Sequence, residues 1–63
     1  MTAIEAYKNA IRDLPLSALY REVFRIESEI ERDGHLQRKA NYIAYLRDQL
    51  DVVESRIASR GKP

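Results

Sequence analysis

The only imidazole in the chain, His35, follows Glu31 by four residues, a spacing that can set a ring nitrogen beside a carboxylate for acid–base work or metal binding. Gly34 stands between them, and there is no second histidine and no cysteine to complete a ligand set. His35 therefore reads as a polar turn residue whose ring favours a nearby helix end. Ser17, Ser28, Ser55 and Ser59 offer hydroxyls, but none shares a predicted helix face with His35, and a serine without a base is a poor nucleophile. Gly34 and Gly61 are 27 positions apart, so no glycine-rich phosphate loop exists. Glu22, Glu27, Glu29, Glu31 and Asp33 form an acidic run. Glu27 and Glu31 could share a cation, yet metal centres in helical bundles take Glu-x-x-His pairs, which are missing. The run reads as a solvated face, partly paired with Arg25 and Arg32. The expectation is a protein that is not an enzyme, with no catalytic residue, metal ligand or cofactor.

Binding is the chemistry that remains. Arg32, His35, Arg38 and Lys39 gather near Gly34, and Arg56, Arg60 and Lys62 gather at the C-terminus. Arginine dominates these cations and suits bidentate phosphate contacts, so Arg32, Arg38, Lys39 and Arg60 are candidate nucleic-acid ligands. Against that, Glu29, Glu31 and Asp33 blunt the field beside the first patch. Neither a zipper-type basic region nor helix-turn-helix spacing is present. Tyrosine offers a second route, because it combines a large ring with a hydroxyl that tolerates water. Tyr42 and Tyr45, with Tyr7 and Tyr20, either line the protein's own core or a homodimer seam, or belong to a face for another protein. That face would comprise Tyr42, Tyr45, Gln49, Val52 and Arg56.

The elements that position these groups follow from composition and period. The chain has 63 residues, 44% hydrophobic and 33% charged, with eleven Lys and Arg against ten Asp and Glu. Near balance excludes both a polycationic tail and an acidic nucleic-acid mimic. Two glycines, two prolines and no cysteine point away from disorder, turn-rich β structure and disulfide scaffolds. Apolar runs are short, the longest being Tyr42 to Leu46, so neither a membrane span nor a signal-peptide core is expected. A cytoplasmic setting is the expectation, with nothing removed by targeting.

Thr2-Ala3-Ile4-Glu5 has the form of a capping box, and Ile4, Tyr7, Ile11 and Leu14 recur at helical steps until Pro15, giving a first helix over about 3–13. Leu16, Leu19, Val23, Ile26 and Ile30 make a second stripe, widened on one flank by Tyr20 and Phe24. Ser17 or Asp13 would cap it and Gly34 would end it in the left-handed conformation, giving a helix over about 16–33. Leu36, Ile43, Leu50 and Ile57 sit seven apart with Leu46 and Val53 between, a heptad seam that predicts a third helix over about 35–60, stopped by Gly61 and Pro63. The stripes of the first two helices are out of phase by two residues, or about 200°, so the first helix should pack separately.

A tight turn at 33–35 makes the last two helices an antiparallel hairpin, favoured over one long helix running through Gly34. Val53 and Ile57 would then overhang the second helix, with the first helix covering part of the excess. The resulting fold class is all-α: one domain over 1–63, a short N-terminal helix plus a coiled-coil-like helical hairpin. Tyr42, Tyr45 and Val52 broaden the third helix beyond what one neighbour hides. The expectation is therefore an oligomeric bundle, a homodimer or higher, with Leu19, Val23, Ile26, Ile30, Leu36, Ile43, Leu46, Leu50, Val53 and Ile57 as its core. Such a chain suits a non-enzymatic interaction module: an adaptor, regulator or inhibitor occluding a partner protein, of the kind phages and plasmids use to modulate host machinery. The alternative is an RNA- or DNA-binding helical dimer.

Overall fold

The computed structural model describes residues 2–61. These form α1 (Ala3–Ile11), α2 (Leu16–Asp33), a short 3₁₀ turn (Gln37–Lys39) and α3 (Ala40–Arg60), with no strand among the described residues. The protein is all-α. Lys62, one of the C-terminal cations, and Pro63, expected to help stop the last helix, lie outside the described residues.

The capping box at the start of α1 is formed: the Glu5 N–H donates to Thr2 Oγ1 at 3.2 Å, and the Thr2 N–H donates to Glu5 Oε1 at 3.3 Å. α1 ends at Ile11, two residues before the expected position 13. Pro15 disfavours helical angles at Leu14, and the chain closes instead in a turn with Leu14 N–H on Ile11 O at 3.1 Å. α2 occupies the expected range, but neither Ser17 nor Asp13 caps it. Pro15 is the N-cap in extended conformation, and its carbonyl accepts from the Ala18 and Leu19 N–H groups at 3.0 and 3.1 Å.

The chain reverses between α2 and α3, and its details correct two expectations. Gly34 is right-handed, with φ −62° and ψ −20°, and its N–H extends the α2 ladder onto Ile30 O at 2.7 Å. Leu36 is not the first residue of the third helix. It is extended (φ −88°, ψ 110°) and precedes the 3₁₀ turn, so α3 begins at Ala40, five residues late. The reversal consumes the segment that the heptad spacing assigned to a helix. α3 is thereby shortened to 21 residues against 18 in α2, about 32 Å against 27 Å, and the expected overhang shrinks to about 5 Å. Val53 is 0% exposed.

Ile11, Leu19, Ile26, Ile43, Leu46 and Val53 are buried together, with Tyr7, Leu14, Val23, Ile30, Leu50, Val52 and Ile57 packed around them. Of the residues assigned to an association seam, Leu36 alone stays out of this cluster; the others fill the interior of one chain. α2 and α3 are antiparallel, Glu29 meeting Tyr42 near the turn. α1 lies along α3 in the parallel sense, with Ala3 beside Tyr45 and Arg12 beside Arg56. It therefore runs down the flank of α3 from mid-helix, where the sequence placed it over an overhanging end.

Candidate partner-binding surface

One flank of α2 is a chain of satisfied polar groups. Glu22 and Glu29 are seven apart, so they lie on the same side with Arg25 between them. The Arg25 guanidinium grips Glu22 through Nε at 3.2 Å and Nη2 at 3.0 Å, and reaches Glu29 through Nη1 at 3.7 Å. Tyr7 of α1 donates to Glu22 at 2.7 Å, and Tyr42 of α3 donates to Glu29 at 2.9 Å. The Arg25 hydrogen bond holds the Glu22 carboxyl below its usual range despite partial burial. Burial, then the bond to Glu22, pushes the Tyr7 hydroxyl above the usual phenol range, and the bond to Glu29 does the same for Tyr42. Part of what looked like a solvated acidic face thus ties both neighbouring helices to α2.

The face expected for a partner protein is largely covered by α1. Gln49 is buried, and its amide donates to the Tyr45 hydroxyl at 3.2 Å. Tyr45 in turn points to the Ala3 carbonyl, Val52 packs on the core, and Arg56 donates to the Arg12 carbonyl at 2.8 Å. Of the five, Tyr42 is the most open, at 44% exposed, and its hydroxyl is engaged; Tyr45, Val52 and Arg56 are half-buried.

Three of the four nucleic-acid candidates, Arg32, Lys39 and Arg60, make contacts within the chain. Asp33, 8% exposed, accepts from Lys39 Nζ at 3.1 Å and Arg32 Nη2 at 3.4 Å, bonds that hold its carboxyl below the usual range. Arg60 clamps the end of α1, donating to the Leu14 and Arg12 carbonyls. Arg38 is exposed and forms no ion pair among the described residues. His35 and Glu31 are both exposed with no hydrogen bond joining them, and no cluster of three or more His, Asp and Glu suited to a metal exists among the described residues. Among the described residues no helix is long and apolar enough to cross a membrane.

What stays open is the other flank of α2. Leu16, Tyr20 and Phe24 recur every four residues and form a row that is 38%, 59% and 75% exposed. At about 100° per residue, Tyr20 lies to one side of the buried Leu19–Ile26 line and Glu22 to the other. The row therefore faces away from α1. Glu27 and Glu31 continue it, exposed and without ion pairs among the described residues. Sequence periodicity had placed Tyr20 and Phe24 beside the core, because a widened stripe does not say which flank a third helix will cover. Comparison of the chain with protein-family models, curated proteins and solved structures found no match.

Proposed function

We propose that this chain is a small helical interaction module, with no chemistry of its own, that docks a partner protein on the Leu16–Tyr20–Phe24 ridge. The observation that carries the reading is the exposure of three large apolar side chains in one row on a rigid helix. Covering a fully exposed side chain such as Phe gains about 1.5–3 kcal/mol, and less for the part-covered Leu16 and Tyr20; aromatic residues on a fixed scaffold are typical interface anchors. Charge favours a heterologous partner. A second copy laid parallel on this ridge about a two-fold axis would set Glu27 and Glu31 against their own copies. That pairing supplies no cation. A partner with apolar side chains flanked by Lys or Arg matches both the ridge and its carboxylates. Occupying such a partner's surface is the work of an adaptor, regulator or inhibitor.

Two measurements test this. Absolute mass by light scattering, over a hundredfold concentration range, is expected to give the monomer throughout. A photo-reactive phenylalanine analogue at position 24 is then expected to capture a discrete protein that the same probe at position 38 does not, with the adduct lost in Tyr20→Ser. A dimer dissociated by Phe24→Ser would instead make the ridge a self-association seam. Capture at position 38 alone, or of nucleic acid, would overturn the proposal in favour of the hairpin tip.

A further inference from the structure

A cleft of about 490 Å³ lies between α1 and α3, on the side of the molecule that the ridge does not use. Its size falls within the range of small-molecule sites, about 300–1,000 Å³. Three cations line it, Lys8 from α1, Arg12 just past its end and Arg56 from α3, against the single carboxylate of Asp51. None of these four groups forms an ion pair among the described residues. Arg56 is half-buried; its Nη2 donates to the Arg12 carbonyl at 2.8 Å, but its Nε has neither solvent access nor a hydrogen-bond partner, and no carboxylate among the described residues pairs with its charge. Buried charge is stabilised by a counter-charge, and local low dielectric strengthens that attraction. Ser55 and Ser59, one turn apart on α3, add hydroxyl donors at the rim. Ile11 and Val52 supply an apolar floor.

From this arrangement we infer that the α1–α3 cleft binds a small molecule carrying a phosphate monoester on an apolar or planar body. Three cations against one carboxylate leave an excess of two positive charges, which suits a dianion better than a single carboxylate. The hydroxyls and guanidinium forks supply the several donors that phosphate oxygens accept. The apolar floor gives the remainder of the ligand a surface to cover. Nothing in this site overlaps Leu16, Tyr20 or Phe24, so it stands or falls independently of the docking ridge.

The experiment is a two-dimensional NMR titration of the full chain with adenosine 5′-monophosphate, adenosine and inorganic phosphate as probes. The monophosphate is expected to give saturable shifts confined to residues 8–12 and 51–59, with adenosine and inorganic phosphate each binding at least tenfold more weakly. Lys8→Gln and Arg12→Gln are each expected to weaken the monophosphate by about tenfold, the loss of one charge-assisted contact. Both side chains are exposed and free of ion pairs among the described residues, so each variant is expected to remain helical, with circular dichroism as the check. Equal binding of adenosine would overturn the role of the cations, and equal binding of inorganic phosphate would overturn the role of the floor. Absence of saturable shifts at 10 mM, shifts centred on Arg38, or indifference to both substitutions would overturn the site itself.

Discussion

Replacing Gly34 separately with alanine and with asparagine distinguishes two physical reasons for a glycine at the hairpin turn. A left-handed glycine would tolerate asparagine better than alanine, because the short amide side chain is at home in that region. Here the backbone is right-handed and the constraint is close approach: a Cβ on residue 34 would stand 2.4 Å from the Ile30 carbonyl oxygen. That oxygen already accepts the Gly34 N–H at 2.7 Å, so it cannot withdraw without stretching the last bond of α2. Overpacking of this kind costs about 1–3 kcal/mol, offset by roughly 0.4–1 kcal/mol from the reduced freedom of the unfolded chain. The net expectation is about 1–2 kcal/mol of destabilisation, the same for both residues since each carries the offending Cβ. Gly61 is the control. Its Cβ would sit 3.2 Å from Ile57 O, a few tenths of an ångström short of ordinary contact, and Gly61→Ala should come out near neutral. For a chain of this size about 1 kcal/mol shifts the melting temperature by roughly 4–8 °C. Thermal melts at 222 nm should therefore place Gly34→Ala and Gly34→Asn together, some 5–15 °C below the parent, with Gly61→Ala within a few degrees of it. An asparagine variant that recovers most of the alanine loss would refute close approach as the reason. So would an alanine variant that melts with the parent.

The polar contacts make two further predictions. Glu22 and Asp33 have folded-state pKa values below the ordinary 4.5 and 3.8, so their stabilisation is complete above those values and is lost as pH falls through the lowered ones. Urea midpoints should drop as pH falls from about 5 toward 2, less steeply in Glu22→Gln and Asp33→Asn, and an unchanged slope in both would remove these carboxylates from the account. Arg56→Met with Arg60→Met removes the clamp on the Arg12 and Leu14 carbonyls. Hydrogen exchange should accelerate roughly tenfold in α1 while α2 and α3 hold, and uniform acceleration would show that the clamp serves the whole fold rather than the docking of α1.

Much of this architecture was legible because it depends on local periodicity. Thr2 and Glu5 announce a cap, Pro15 ends one helix, and the stripe from Leu16 to Ile30 marks α2 to its observed bounds. The start of α3 was not legible, because Leu36 continues a seven-residue spacing whether its backbone is helical or extended. Spacing reports where side chains recur along the chain and says nothing of a reversal that happens to preserve the interval. The location of α1 was hidden for a related reason. Its apolar stripe is compatible with either end of α3, and what selects the observed flank is the meeting of Arg56 and Arg60 with its terminal carbonyls, a contact between residues more than forty positions apart. The same contact turned the tyrosine face of α3 inward and left the ridge of α2 outward.

The proposed docking ridge draws its support from how unevenly α2 is satisfied. Its two flanks carry similar residue types, tyrosine-matched carboxylates on one and aromatic rings with carboxylates on the other. On the first, Glu22, Glu29 and Asp33 hold every donor brought to them by Tyr7, Arg25, Tyr42, Arg32 and Lys39. On the second, the Tyr20 hydroxyl, Glu27 and Glu31 have no side-chain partner among the described residues, and Phe24 is the most exposed of the large apolar side chains. A helix that needed only solubility on that side would be served by charges alone, with no loss of core. Three large apolar groups in register, beside carboxylates without ion pairs among the described residues, are the feature on which the proposed docking of a partner rests.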